Sequence, residues 1–335
     1  MDSRERVTRT VNFRTPDRIP YEWYKHGISV ADRERSDILW THYKPLIPHE
    51  VEVKGDEVWE TDEWGCTWVS YKSIPTMGQP LVHPLQDWDN YADFKFPEID
   101  LEKRFAGVDE EVQKFRDLGK YIIGALDFGV WERLHFMRGL TKTVMDLHSH
   151  SERVHALLEI ITEFKLELIK GYSELGVDCV GFTDDWGDQA RLMIRPKQWE
   201  EVFKPYYARI FGAARKAGMH TFLHSCGNIN SIIGHLIDTG LDIIQIDAPH
   251  QNDVELLSER YRGKICFDCC IDIQKVLVTE DERLIEEEAK LLTSQLGLKE
   301  GGFIARQYPQ LVHIGVKPEV NEMAYNAFRK YETYE

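Results

Sequence analysis

The sequence predicts an α/β protein that folds as a (β/α)8 TIM barrel. Short apolar runs alternate with long amphipathic segments along most of the chain after residue 120. Such runs are typical of strands that are buried on both faces of a parallel sheet. Steady alternation of strand and helix implies parallel pairing through right-handed crossovers. Six strands are predicted in this way, at residues 121–127, 179–183, 221–224, 243–246, 265–268 and 303–305.

Two further strands would close the barrel. Residues 18–23 supply the seventh, and we expect the eighth within residues 56–71, where Gly65 turns a hairpin. An open doubly wound sheet is the competing arrangement, but no Gly-rich phosphate loop follows the first strand. Residues 28–105 are the least regular and are rich in Trp and Pro. They are predicted as an irregular, Trp-rich insertion near the N-terminus, with loops and a hairpin over the barrel mouth.

The segments between the later strands are predicted as helices. Apolar residues recur near helical spacing over 152–175. A second helix begins at Pro196 and stops at Gly218, which follows the preference for Pro at helix starts and Gly at helix ends. Further helices are expected after residue 228, from 279 to about 297, and from 318 onward.

The whole chain, residues 1–335, is expected to be one domain, because barrels of this class often exceed ~250 residues. Hydrophobic residues make up 42% and charged residues 29%, the balance of a globular protein with a large core. We find no linker and no internal repeat.

Charge and hydropathy restrict the partners. The net charge of −16 makes nucleic acid a poor partner, because phosphate binding needs a basic surface. No apolar run reaches the ~18 residues that span a bilayer, and the N-terminus has no apolar signal core. We therefore expect a cytoplasmic protein with no membrane partner, whose six cysteines form no disulfide framework. The oligomeric state is left open, with a homodimer as one option.

The strongest candidate for chemistry is His224-Ser225-Cys226-Gly227, at the end of a predicted strand. In a barrel of this kind the reactive groups lie where strands end. Alternation places His224 and Cys226 on the same side, and a nitrogen with a thiolate suits zinc. A catalytic zinc usually has three protein ligands, so two are not a site. Spacing alone does not decide between a metal pair and a core imidazole beside a buried thiol.

The adjacent Cys269 and Cys270 follow another predicted strand and point to opposite faces, so one of them faces the mouth as a candidate third ligand. The alternative is a pair of small residues that serve packing, which the sequence slightly favours. His313, past the last strand, is a further candidate ligand, although a lone histidine is more often a hydrogen-bonded core residue.

Acidic residues cluster in Asp184-Asp185-Trp186-Gly187-Asp188. Clustered carboxylates repel one another and raise at least one pKa, which suits a general acid near neutral pH. We predict Asp184 and Asp185 as catalytic, against the alternative of a helix cap and a solvated acid. Charged or aromatic residues at other strand ends are weaker candidates for substrate binding or packing. They are Glu22, Trp23, Asp127, Trp186, Gln245 and Asp247.

These residues resemble the uroporphyrinogen decarboxylase superfamily. The resemblance rests on Ser3-Arg4-Glu5-Arg6-Val7, on Thr15-Pro16-Asp17-Arg18-Ile19-Pro20 and on His224-Ser225-Cys226-Gly227-Asn228. The acidic run 184–188 and residues 272–274 also fit. The resemblance covers residues 1 to about 331 and implies the (β/α)8 barrel independently of the strand count.

The superfamily contains metal-free decarboxylases of uroporphyrinogen. Those enzymes carry an Arg-rich stretch after the first strand that holds the substrate carboxylates. Here that place reads Glu22-Trp23-Tyr24-Lys25-His26-Gly27, without arginine and with an acid of the wrong sign. Carboxylate recognition relies on guanidinium groups, so this difference disfavours the decarboxylase function.

The superfamily also contains zinc-dependent methyltransferases that act with a corrinoid (cobalamin) protein. The resemblance implies zinc ligands at His224 and Cys226, while the family's later Cys has no counterpart in residues 306–318. Cys269, Cys270 or His313 is the expected substitute. We therefore predict a methyltransferase that moves a methyl group from a small methylated molecule, such as a methoxylated aromatic, to a corrinoid protein. The alternatives are a metal-free decarboxylase, in which His224 and Cys226 only pack, and a catalytically silent barrel that binds a corrinoid or tetrapyrrole as a carrier or sensor.

Overall fold

The structure is a computed structural model, and it describes residues 1–24, 31–149 and 151–333. Eight parallel strands form one sheet that curls into a nearly closed barrel. The backbone N–H of Asp37 donates to the carbonyl of Tyr21 at 2.7 Å, which links the two end strands. The barrel strands are β1 (Tyr21–Glu22), β2 (Ile38–His42), β7 (Tyr121–Phe128), β8 (Cys179–Thr183), β9 (His220–His224), β10 (Ile243–Ile246), β11 (Cys266–Cys269) and β12 (Phe303–Arg306), and the remaining strands are β3 (Glu50–Lys54), β4 (Glu57–Thr61), β5 (Thr67–Tyr71) and β6 (Ile74–Val82). The order of the strands in the barrel sheet is β1-β12-β11-β10-β9-β8-β7-β2.

Helices surround the barrel and follow its strands. They are α1 (Ser3–Val11), α2 (Leu101–Arg104), α3 (Val108–Asp117), α4 (Val130–Arg138), α5 (Leu140–Ser149), α6 (Ser151–Leu175), α7 (Pro196–Val202), α8 (Lys204–Lys216), α9 (Asn230–Thr239), α10 (Val254–Tyr261), α11 (Glu282–Leu296) and α12 (Val320–Lys330). The predicted helix 196–218 is two helices, because Pro205 in the first turn of α8 interrupts the hydrogen-bond ladder. The helix expected from 279 begins at Glu282, where the Asp281 side chain accepts from the N–H groups of Arg283 and Leu284. No helix among the described residues has the length and apolar character that crossing a bilayer requires.

The prediction of the eighth strand was wrong. The eighth barrel strand is β2, which pairs in parallel with β7 from Ile38↔Tyr121 to His42↔Ala125. Residues 56–71 instead contribute β4 and β5 to a separate antiparallel sheet of order β3-β4-β5-β6. Every residue of β4 is half-buried, which is typical of an antiparallel sheet with a wet face and not of a barrel strand.

The region predicted to be irregular is thus partly a regular sheet. Its predicted start, residue 28, lies outside the described residues. The sheet packs beside the end of β7: the Trp68 ring stacks on Phe128 with centroids 5.3 Å apart and meets Phe136 edge-on at 4.7 Å.

The barrel interior changes from apolar to polar along its axis. Its lower part is an apolar cluster closed by Val7 and Val11 of α1. Alternation along the strands turns a polar set inward at the C-terminal end, which we call the inner polar layer. It contains Glu22, His224, Gln245, Asp268 and Arg306.

Candidate functional site

An imidazole, a thiol and a carboxylate meet where β8 and β9 end. The Nε2 atom of His224 lies 3.3 Å from Sγ of Cys226 and 3.4 Å from Oδ1 of Asp185. One ligand atom from each of the three residues lies within 4.8 Å of the other two. The structure therefore brings His224 and Cys226 together and adds Asp185.

Backbone pairing beyond the two strands holds this group in place. The N–H of Asp184 donates to the carbonyl of His224 at 2.9 Å, and the N–H of Gly187 donates to the carbonyl of Cys226 at 3.1 Å. The carboxylate of Asp185 accepts from the N–H of Cys226 at 2.8 Å. The two loops thus continue the β8–β9 pairing, and this fixes the carboxylate beside the thiol.

The back of the His224 ring is hydrogen-bonded along β10. Its Nδ1 atom contacts Oε1 of Gln245, and Nε2 of Gln245 donates to Oδ1 of Asp247 at 2.7 Å. Gln245 is buried and pairs in register with His224. The imidazole is therefore oriented with Nε2 toward Cys226 and Asp185.

The thiol of Cys226 is open to the mouth, and the other five cysteines are buried. Desolvation of the sulfur raises the pKa of Cys226 well above its ordinary value. The carboxylates of Asp185 and Asp247 raise that pKa further. A divalent cation would have the opposite effect, because it stabilises the thiolate.

The two predicted acids have different surroundings. Asp184 is fully buried and accepts from the N–H groups of Trp131 at 3.1 Å and Glu132 at 2.7 Å, as well as from the hydroxyl of Tyr207. It thereby caps the first turn of α4. Burial raises the pKa of Asp184 to about 6. Asp185 is the one that faces the imidazole and the thiol.

Sequence reasoning missed Glu132, a third acid at this site. It lies in the first turn of α4, only 5% exposed, and its Oε2 accepts from the hydroxyl of Thr183 at 2.9 Å. Burial raises the pKa of Glu132 well above its ordinary value, and the charges of Asp185 and Asp184 raise it further. The available signal was a charged residue inside the apolar run V-W-E-R-L that follows β7.

The other predicted ligands lie outside the group. Cys269 is buried in the main hydrophobic core. The Sγ atom of Cys270 lies 3.4 Å from the backbone oxygen of Asp247. His313 follows β12, and its Nδ1 contacts Oε1 of Gln310 at 2.9 Å. The third donor that the structure offers is therefore the carboxylate of Asp185.

Two of the aromatic residues predicted to bind substrate are enclosed by packing. Trp23 is 1% exposed and meets the Tyr325 ring edge-on at 5.1 Å. Trp186 is fully buried, and its Nε1 donates to the hydroxyl of Tyr207 at 2.7 Å. Both side chains therefore support the barrel wall.

Asp127 lies at the end of β7 and is not one of the three residues of the candidate metal group. Its Oδ2 accepts from the hydroxyl of Tyr43 at 2.5 Å, and its backbone φ of 52° is in the left-handed region. It lines a small cavity that Tyr43 and Lys165 also line. This cluster is separate from the inner polar layer.

Glu22 faces the barrel interior, and its carboxylate accepts hydrogen bonds from three donors. It accepts from Trp40 Nε1 at 2.7 Å, from the Tyr24 hydroxyl at 2.6 Å and from Arg306 Nη1 at 2.5 Å. Asp268 lies 3.5 Å from the same Arg306 nitrogen. Burial raises the pKa of Asp268 well above its ordinary value; Arg306 opposes this effect and Glu22 adds to it. The guanidinium is therefore neutralised by groups of the chain itself.

The donor set of Asp185, His224 and Cys226 fits a borderline-soft divalent ion. Imidazole nitrogen, thiolate sulfur and carboxylate oxygen are the three ligand types that zinc uses in proteins. Three protein ligands and an open side toward the mouth are typical of a catalytic zinc centre. These features define a barrel protein with a candidate metal centre at the C-terminal ends of its strands.

The sequence model described as Uroporphyrinogen decarboxylase (URO-D) matches residues 60–306, and the chain belongs to this family. Two relatives are named methylcobamide:CoM methyltransferase MtbA. The protein from Methanosarcina acetivorans is 24% identical over 157 residues, which cover 47% of this chain and 45% of the relative. The protein from Methanosarcina mazei is 26% identical over 102 residues, which cover 30% of each chain. The chain thus matches less than half the length of these relatives.

A solved structure described as a methyltransferase from Methanosarcina mazei has the same fold. It superposes with a TM-score of 0.66 and 13% sequence identity, and the match covers 99% of both chains. The likeness extends over the whole barrel.

Proposed function

We propose that this chain is a methyltransferase that moves a methyl group from a small methylated molecule to a corrinoid carried by a partner protein. The observation that supports this function most directly is the meeting of Asp185, His224 and Cys226 at the barrel mouth. The names of the MtbA relatives support corrinoid-linked methyl transfer.

In this proposal Asp185, His224 and Cys226 hold zinc. When bound, zinc supplies Lewis-acid stabilisation to the heteroatom that loses the methyl group. The chain's own residues shape the site around it. Gln245 orients the imidazole, and the backbone N–H of Cys226 holds the carboxylate of Asp185 in place.

The inner polar layer argues against a highly anionic substrate. Within the described part of this layer the one guanidinium, Arg306, is already paired with Glu22 and Asp268. A porphyrinogen with many carboxylates needs free guanidinium groups. Residues 25–27, which complete the stretch that is Arg-rich in the decarboxylases, lie outside the described residues.

We propose a methoxylated aromatic as the donor to test first. Trp40 lies at the inner surface, where it donates to Glu22 and meets Phe222 edge-on at 5.1 Å. An indole that faces the barrel interior suits an uncharged aromatic ring. The reaction would then be an O-demethylation.

The test measures zinc content and methyl transfer on the same preparations. 2-Methoxyphenol and cob(I)alamin serve as probes, and methylcobalamin formation is followed by absorbance. The wild type and His313→Ala are expected to hold about one zinc per chain, whereas Cys226→Ala and His224→Ala lose both zinc and transfer. A zinc-free wild type with full transfer by Cys226→Ala would contradict the proposal. Release of CO2 from a carboxylated substrate in excess chelator would instead favour a lyase.

A further inference from the structure

We propose that Asp247 is a positioning residue that fixes which nitrogen of His224 carries the proton. The inference rests on the proposed metal site, but its main consequence concerns the chain alone. The residues form one hydrogen-bonded line, from Asp247 through Gln245 to the Nδ1 edge of His224. The opposite ring edge, Nε2, faces Cys226 and Asp185.

The chemistry of the three side chains determines which group donates and which accepts in each of these hydrogen bonds. A carboxylate only accepts, so the amide group of Gln245 that faces Asp247 must be its NH2. The carbonyl oxygen of the same amide must then face His224, and it also only accepts. The Nδ1 atom of His224 must therefore carry the proton. In a neutral imidazole the lone pair is then on Nε2, the nitrogen that points toward the candidate metal position.

The surroundings of Asp247 keep it in place. Its backbone oxygen accepts from the N–H of Ile273 at 3.2 Å and from the thiol of Cys270 at 3.4 Å. The same thiol lies 3.5 Å from Oδ1 of Asp247. Gln245 is 2% exposed, so solvent does not compete for its amide. Cys270, predicted as a ligand, thus contacts the positioning residue.

The decisive variants reverse the direction of the hydrogen bonds from Asp247 to His224 and keep the size and shape of the side chains. Asp247→Asn is isosteric but offers an NH2 group, so the Gln245 amide can reverse and donate to Nδ1. The ring would then carry its proton on Nε2 and have no lone pair for a metal. The double variant Q245E/D247N restores the proton on Nδ1. The carboxylate at position 245 accepts from the amide at position 247 and also from the Nδ1–H of His224. Asp242→Asn is the control, since Asp242 accepts from Thr221 at the other end of the same strands.

The chain of residues 1–335, labelled with 15N-histidine and freed of metal by chelator, gives the tautomer from the ring nitrogen shifts. Zn²⁺ affinity is measured in parallel by competition with a chromophoric chelator. We expect Asp247→Asn to move the proton to Nε2 and to weaken Zn²⁺ binding by about 10- to 100-fold. The double variant should recover both properties, and Asp242→Asn should change neither.

An Asp247→Asn protein that keeps Nδ1–H and full Zn²⁺ affinity would overturn the inference. So would a folded double variant that recovers neither property, even if the single variant is too unstable to study. If the wild type binds no Zn²⁺ but Asp247→Asn still moves the proton to Nε2, the metal part of the proposed function is contradicted and the role of Asp247 is supported.

Discussion

Gly187 and Gly227 lie backbone against backbone just beyond the ends of β8 and β9. A Cβ atom on Gly227 would come within 2.2 Å of the carbonyl carbon of Gly187, and one on Gly187 would come within 2.4 Å of the backbone N of Asn228. Gly227 also has a φ of 79°, which side-chain-bearing residues rarely adopt. The contact allows the loop of Asp185 to approach the loop of Cys226.

Gly187→Ala should therefore separate the two loops and weaken metal binding. We expect Zn²⁺ affinity to fall by about 10-fold or more and the free energy of unfolding to fall by about 1–3 kcal/mol. Competition titration and urea unfolding measure the two effects. Gly212→Ala is the matched control, because a Cβ there meets open space in α8 and should stabilise slightly. Unchanged Zn²⁺ affinity in Gly187→Ala would show that the contact does not set the site.

Substitutions of the adjacent acids Asp184 and Asp185 should have different effects, the first on stability and the second on metal binding. Asp184→Ala leaves two N–H groups of α4 and the Tyr207 hydroxyl without their acceptor, so we expect a loss of about 2–4 kcal/mol in the free energy of unfolding. Asp185→Ala should unfold close to the wild type but bind Zn²⁺ more weakly. Urea titration and zinc analysis of both variants test this. The reverse pattern would show that the roles are exchanged.

The sequence predicted the barrel because its strands are short, apolar and regularly spaced. Residues 179–183 and 243–246 coincide with β8 and β10. It missed β2 because I-L-W-T-H ends in polar residues, whereas the Trp-rich residues 56–71 resemble strands more strongly. The strands in residues 56–71 pair antiparallel outside the barrel. Which strands pair depends on tertiary contacts, and the local sequence pattern does not determine it.

Two rules predicted part of the candidate site: reactive groups lie at strand ends, and side chains alternate between the two faces along a strand. These rules located His224, Cys226 and the Asp184–Asp185 pair. They could not separate the two acids, because the difference depends on where the N-terminus of α4 lies in space. For the same reason the contact of Glu132 with Thr183 and the pairing of Glu22 with Arg306 are seen only in the folded structure.

The buried ion pair of Asp62 and Arg133 joins the antiparallel sheet to α4. Its Nη1–Oδ2 distance is 2.7 Å, and both side chains are less than 10% exposed. Asp62→Ala leaves the buried guanidinium of Arg133 without its carboxylate partner. We therefore expect a loss of about 3–5 kcal/mol in the free energy of unfolding. Arg133→Met in the same chain should recover part of that loss. Urea unfolding of the four proteins of this cycle gives the coupling, and strictly additive losses would contradict a direct interaction.

Lys165 should give the chain a distinctive stability profile at alkaline pH. The ammonium group is fully buried and donates to the carbonyls of Leu126 at 2.7 Å and Phe128 at 2.5 Å. Burial lowers its pKa from 10.5 to about 8. Between these values the unfolded chain binds a proton that the folded chain does not, so stability rises with pH across this window.

The free energy of unfolding of the wild type should therefore rise relative to that of Lys165→Met between about pH 8 and 10.5, by at most about 1.4 kcal/mol per pH unit. Below that window the penalty for burying the charged group is fully present in the wild type, and the methionine variant lacks it. Urea unfolding at several pH values measures the difference in slope. Lys170→Met is the control, because Lys170 lies exposed on the same helix, paired with Glu167, and its removal should leave the slope unchanged. Parallel profiles for the wild type and Lys165→Met would mean that the buried amine keeps its proton across the whole window.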